Sequence, residues 1–284
     1  MGNPTAAGEH PTGEGGWRVD FGIASVHAGR KGARLKQLIE RLIEEILFLF
    51  ARLLPSNYVL WKLRRIARAT TKHTFLQFYI DRLVNVLHRR FVSEELKKSG
   101  VVIISEGHDR RYQMFEYVYD HFVNGPIDYL EFGVYQGESI SWWRSKLGPD
   151  SNLYGFDSFE GLPEDWNWRD RKGEFNCHGE IPHMTAPNQK FIKGLFKHSI
   201  KPFLVSVKLK PKLILHMDAD LYGSTLCVLR AMKDVISPSS ILIFDEYWDL
   251  KHEFRAVHDF AEETGKIFEY IVASEVRAAI RFTA

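Results

Sequence analysis

Two short runs in the second half of the chain concentrate carboxylates. HMDADLY carries Asp218 and Asp220, and IFDEYWD carries Asp245 and Glu246. Each run closes a short apolar segment, KLILHMDA or ILIFDEY, of the length and composition of a buried strand. If these strands are parallel neighbours, their carboxyl ends open onto one edge of the sheet. Carboxylates converging there repel one another unless protons or a hard cation intervene, and all-oxygen ligands select Mg²⁺ or a similar ion. Asp220 has a competing reading, a cap on the helix that starts near Ser224, and is not counted as a ligand.

A second acidic pattern lies upstream. DYLEFGVYQGESISWW runs apolar, passes Gly133 and Gly137, and enters a helix-like pattern near Ser139. A strand that turns through glycines into a helix presents bare backbone amides where a ligand can approach closely. The spacing is E-x-G-x-x-x-G, with Glu131 where a dinucleotide fingerprint has its first glycine, and an acid there opposes a pyrophosphate. Asp157 ends the next apolar run, YGFDSF, 26 positions later, where a carboxylate accepts hydrogen bonds from two ribose hydroxyls. The alternative for Asp157 is a cap on the loop that follows.

The elements that must position these groups follow from pattern. The expected strands are IDYLEFGV, NLYGFDSF, KLILHMDA and ILIFDEY, and the expected helices are ESISWWRSKL, STLCVLRAM and HEFRAVHDFAEET. Short apolar runs alternating with amphipathic helices predict a parallel α/β sheet. KIFEYIVA and EVRAAIRF, joined by a short turn around Ser274, predict an antiparallel hairpin at the sheet edge.

The first third differs. Residues 1–33 are Gly- and Pro-rich, lack the apolar block of a signal peptide, and predict a disordered tail. From Arg34 to Leu54, Leu35, Leu38, Ile39, Leu42, Ile43 and Ile46 fall on one helical face while Glu40, Arg41, Glu44 and Glu45 interrupt the other. The uncharged run is too short to span a membrane, so packing or oligomerisation is expected rather than contact with a membrane surface. The basic run WKLRRIARATTKH and the apolar-periodic FLQFYIDRLVNVLHRRF extend an α-helical region over 34–100, with the α/β domain at 101–284. A homo-oligomer is expected. Among 284 residues, 38 basic and 36 acidic side chains leave a net charge of +2, which does not favour a nucleic-acid partner. Cys177 and Cys227 have no metal-like spacing and fit a reducing, cytoplasmic setting.

LEFGVYQGESI, YGFDSFEGLPEDW, FIKGLFKHSIKPFL, HMDADLYGST and ILIFDEYW occur in the order found in class I S-adenosylmethionine-dependent methyltransferases. The chain most resembles the branch of macrocin O-methyltransferase (TylF/MycF-type), from about Arg110 to the C-terminus. That resemblance implies a Rossmann-like seven-stranded sheet with an antiparallel last strand. It implies S-adenosyl-L-methionine as cofactor, held by Glu131, Gly133, Val134, Tyr135, Gly137, Ser139, Asp157 and Ser158. It also implies a metal, expected to be Mg²⁺, on Asp218, Asp245 and Glu246, although the last position is Asp in the sugar-tailoring enzymes. Asp218 would take part in catalysis, and a base would come from His178 or His183 in RKGEFNCHGEIPHM, which reads as a substrate loop. His252 and His258 are read as helix residues. Trp166, Trp168, Phe175, Tyr247 and Trp248 would wall the acceptor, a hydroxylated small molecule such as a sugar moiety of a natural product or glycan. The competing classes are a dehydrogenase, a metal-independent methyltransferase on a non-sugar acceptor, and a non-catalytic scaffold that keeps the cofactor site.

Overall fold

The central strands form where continuous β-branched and aromatic runs bury both faces of a sheet, and the connecting helices carry the apolar stripes that cover it. A computed structural model describes residues 88, 94, 96–98, 100–104, 110–166, 170–183, 186–274 and 276–283. All of these belong to the second of two units, Glu44–Ala284. The expected tail over 1–33, nearly all of the helical region over 34–100, and Trp168 lie outside the described residues.

Eight strands build one sheet: β1 Val102–Ile103, β2 Asp128–Phe132, β3 Asn152–Asp157, β4 Gln189–Lys193, β5 Leu213–Met217, β6 Ile241–Phe244, β7 Phe268–Ala273 and β8 Ala278–Phe282. Their order is β1-β7-β8-β6-β5-β2-β3-β4. All neighbours pair parallel except β8, which is antiparallel to both β6 and β7. The expected seven strands and antiparallel last strand are present. The eighth, β1, adds two residues parallel to β7. The terminal hairpin is therefore not a bare edge: β8 lies inside the sheet and β1 covers β7.

Among the described residues, helices α1 Arg110–Phe122, α2 Glu138–Lys146, α3 Phe196–Ser206, α4 Tyr222–Met232 and α5 Glu253–Thr264 pack on the sheet. Side chains alternate across β2, so Tyr129 joins Ile214, Ile243 and Val272 on one face, beneath Met114, Phe115 and Val118 of α1 and Trp143 of α2. Leu130 and Phe132 join Leu215 and Met217 on the other face, against α3, α4 and α5. Each such fully buried side chain contributes roughly 2 kcal/mol of burial free energy.

Chain direction across the sheet reverses at β2. One half runs β2-β3-β4 and the other β5-β6-β8, so β2 and β5 are neighbours with loops leaving in opposite directions. Such a switch point opens a crevice beyond the carboxyl ends of the strands. Gly133 follows β2 and Asp218 follows β5, which places both at that crevice. No helix among the described residues is long and apolar enough to cross a membrane.

Candidate active site

A cavity of about 540 Å³ opens at the switch point. Its floor is the turn after β2. Gly133 has φ 96, and a Cβ there would lie 1.8 Å from the carbonyl oxygen of Asp218, so only glycine lets the β2 and β5 ends approach this closely. Asp157 fixes the same turn from β3. Its Oδ2 accepts the Val134 and Tyr135 amides at 2.7 and 2.9 Å, and its Oδ1 accepts the Phe159 amide at 2.8 Å. Both sequence readings of Asp157 thus coexist: it caps the loop, and it also lines the cavity.

Gly133, Val134, Tyr135, Ser139, Asp157 and Ser158 all line the cavity. Gly137, φ 81, is the N-cap of α2 and is not among the lining residues. Glu131 is also set apart. It shares a face with Tyr129, is buried, and accepts the Tyr129 hydroxyl at 2.6 Å. The expectation that it meets the cofactor, and its use against a pyrophosphate, is corrected by strand alternation: its side chain belongs to the interior beneath α1 and α2.

That interior holds a network that spacing alone does not reveal. The Tyr129 hydroxyl lies 3.0 Å from His216 Nδ1, and His216 Nε2 lies 3.7 Å from Asp245 Oδ1. Burial alone would lower the His216 pKa, but Asp245 and Glu131 outweigh it and raise it to about 9. Arg277 donates Nε to Asp245 Oδ1 at 2.7 Å and Nη2 to Oδ2 at 3.0 Å. Arg111 of α1 donates Nη2 to Asp245 Oδ2 at 2.7 Å and Nη1 to Ser139 Oγ at 3.1 Å, and its Nη2 stands 3.4 Å from Asp218 Oδ2. Burial disfavours the Asp245 carboxylate, yet His216, Arg277 and Arg111 together hold its pKa well below the usual range.

Asp218, Asp220 and Glu246 shift the other way. Asp218, with a quarter of its side chain open to the cavity, is raised to about 7 by burial and by Asp245, against the opposing pull of Arg111 and His216. Asp220, at φ 56, is raised to about 9 by burial and then by Asp218 and Glu246. Glu246 is raised to about 8 by burial and Asp245. Asp220 does not cap α4, whose N-cap is Leu221, because its left-handed backbone leaves it lining the cavity instead.

These contacts decide whether the donor set suits a divalent ion. Ligand atoms of His216, Asp218 and Asp245 lie within 4.8 Å of one another, and Glu246 is not in that group. Both oxygens of Asp245 are already bound by guanidinium groups, one of which also faces Asp218. Two fixed cations beside the carboxylates disfavour a third positive centre, so the expected set of Asp218, Asp245 and Glu246 does not fit a metal in this arrangement.

His178 and His183 are exposed and do not line the cavity; the His178 amide instead closes a turn onto Asn176 Oδ1 at 2.6 Å. The histidines expected to supply a base thus stand away from the cavity, whose ionisable lining is mostly carboxyl. His252 is the N-cap of α5, where its Nδ1 accepts the Tyr222 amide at 3.2 Å, and His258 lies within α5. Trp166 and Phe175 line the cavity, and Phe175 meets Tyr135 edge to face at 5.9 Å. Tyr247 and Trp248 do not wall it. They are core residues, tied to the Tyr270 hydroxyl and the Ser274 carbonyl.

The sequence model of the family described as macrocin O-methyltransferase (TylF) matches residues 183–272. The match is confined to this segment, about a third of the chain. It runs from just before β4 nearly to the end of β7, and so contains Asp218, Asp220, Asp245 and Glu246. Beyond it, the chain is 27% identical over 172 residues to mycinamicin III 3''-O-methyltransferase of Micromonospora griseorubida, covering 50% of this chain and 65% of that protein. It is 25% identical over 170 residues to 8-demethyl-8-(2,3-dimethoxy-alpha-L-rhamnosyl)-tetracenomycin-C 4'-O-methyltransferase of Streptomyces olivaceus, covering 50% of this chain and 63% of that protein. The chain thus spans a little under two thirds of the length of these relatives. The solved O-methyltransferase NovP aligns with a TM-score of 0.49 at 22% identity, over 61% of this chain and 77% of that one.

Proposed function

We propose that this chain is an S-adenosylmethionine-dependent O-methyltransferase acting on a hydroxyl of a small molecule, with a sugar moiety of a natural product as the favoured acceptor. The observation that carries the reading is the charge of the cavity. Seven carboxyl groups, Glu138, Asp157, Glu164, Asp218, Asp220, Asp245 and Glu246, line it against only Arg111 and Lys197, and a cationic ligand would draw the raised Asp218, Asp220 and Glu246 toward their charged forms. Such a wall suits a ligand carrying a sulfonium and an ammonium group and opposes the pyrophosphate of a dinucleotide. The family segment and the rhamnosyl group in the name of one relative support the acceptor class.

When bound, S-adenosylmethionine supplies a methyl group that moves from sulfur to the acceptor oxygen, leaving a thioether and releasing the hydroxyl proton. The Gly133–Tyr135 turn and Asp157 would hold its nucleoside and amino-acid parts, and Trp166 and Phe175 would flank the acceptor and exclude water. Asp218 is the group assigned to receive the hydroxyl proton, since it faces the cavity and its raised pKa lies near the working pH. Mg²⁺ is given no step, in keeping with the contacts of Asp245.

Calorimetric titration with S-adenosylhomocysteine and, separately, NADH tests the reading. Binding of the first alone is expected. Binding of NADH alone would replace the reading with a dehydrogenase, and binding of neither by folded protein would favour a scaffold.

A further inference from the structure

We propose that Arg111 is the resident cation of this site, standing where a divalent ion would otherwise bridge Asp218 and Asp245, and that the site works without a metal. The inference rests on the methyltransferase reading for its chemistry but not for its geometry.

The first argument is register. Phe244 of β6 pairs with Ala278 of β8, so Asp245 and Arg277, one step beyond each, face each other across antiparallel strands. Their two-point contact is set by the sheet and not by a wandering side chain. Asp245 therefore offers a metal only the direction that Arg111 occupies. The second argument is charge. Arg111 and Arg277 already hold both oxygens of Asp245 in charge-assisted contacts, so a cation beside Asp218 and Asp245 would meet a guanidinium at hydrogen-bond distance and could enter only by displacing it.

The third argument is what Arg111 has left to offer. Two of its five N–H groups are hydrogen-bonded, to Asp245 and Ser139, and its Nη2 also stands 3.4 Å from Asp218 Oδ2. The remaining N–H groups have no hydrogen-bond acceptor among the described residues, and 29% of the side chain is open where it lines the cavity. A guanidinium in this position can donate to the acceptor oxygen and favour its deprotonated form, the task otherwise given to a metal. Arg111 sits on α1, outside both carboxylate runs, and Ser139 at the start of α2 orients it.

The test is Mn²⁺ uptake, read from loss of the free-ion paramagnetic resonance signal, on the full chain saturated with S-adenosylhomocysteine. Wild type is expected to take up no ion, and Arg111→Ala to take up about one per chain, lost again in Arg111→Ala with Asp218→Asn. Stoichiometric uptake by wild type that Asp218→Asn abolishes would overturn the proposal. Uptake by neither protein would also overturn it, because no cation position would then exist for Arg111 to fill. Arg111→Gln, which keeps hydrogen bonds without charge, replaces Arg111→Ala if circular dichroism shows that the latter is unfolded. Failure to bind S-adenosylhomocysteine would count against the methyltransferase reading alone, since the Mn²⁺ comparison can be repeated on the ligand-free protein.

Discussion

Gly133 and Asp218 touch through backbone alone: a Cβ on the glycine would lie 1.8 Å from the aspartate's carbonyl oxygen, across the point where the sheet reverses direction. The contact involves main chain on one side and a left-handed φ on the other, so no rotamer change relieves it. Gly133→Ala is expected to cost about 3 kcal/mol in urea denaturation. Gly148→Ala is the control, since a Cβ there meets nothing within 4 Å, and should cost less than about 1 kcal/mol. Equal losses at the two sites would remove the close approach from the account of the cavity floor.

Asp157 holds three amides of two loops with its two oxygens, so its removal should loosen the turn as well as delete a ligand group. Asp157→Ala is expected to weaken S-adenosylhomocysteine binding at least tenfold, the equivalent of about 1.4 kcal/mol. Asp218→Asn should leave that affinity within about threefold, because Asp218 is assigned to the acceptor side. Calorimetry on both variants decides it; unchanged affinity in Asp157→Ala would mean the ribose assignment is wrong.

What sequence could reveal here depended on how local the signal was. β2, β3, β5 and β6 are legible because each is an unbroken apolar run bounded by turn residues, and Gly133, Asp157, Asp218 and Asp245 are legible as strand-end residues. The strand QKFIK is not an unbroken apolar run, and the helix FKHSIKPFLVS is amphipathic but carries Pro202 in its interior, a residue that ordinarily breaks a helix. Nothing in the sequence marks Arg111, Arg277 or His216, because their partners come from other elements: Arg111 meets Asp245 across 134 positions and Arg277 meets it across 32. Glu131 and Trp248 failed in the opposite way. Their types suit a site, but strand alternation and core packing turn them inward.

Asp220 makes stability depend on pH. Its carboxyl is raised from an ordinary 3.8 to about 9, so below the ordinary value folded and unfolded chains both carry the proton. Between those values the folded state keeps a proton that the unfolded chain releases, and stability falls as pH rises through the window. Asn stays neutral throughout and tolerates the left-handed backbone at φ 56. Asp220→Asn should therefore gain stability over wild type, by little at pH near 4 and by roughly 2 kcal/mol at pH near 8. Denaturation at both pH values measures this, and a gain that does not grow with pH would contradict the burial of that carboxyl.

Arg277 offers the sharpest check on the buried network. Asp245 is 2% exposed and the Arg277 side chain 14%, so removing either leaves the other short of a partner in a site closed off from water. Arg277→Met is expected to cost about 3 kcal/mol, because Arg111 then remains as the only guanidinium on a carboxylate closed off from water. Replacing both partners, Arg277→Met with Asp245→Leu, should recover much of that loss, giving a coupling of about 2 kcal/mol in a double-mutant cycle. Strictly additive losses would show that the two side chains do not depend on each other, and would withdraw the cross-strand pair as the reason Asp245 is unavailable to an ion.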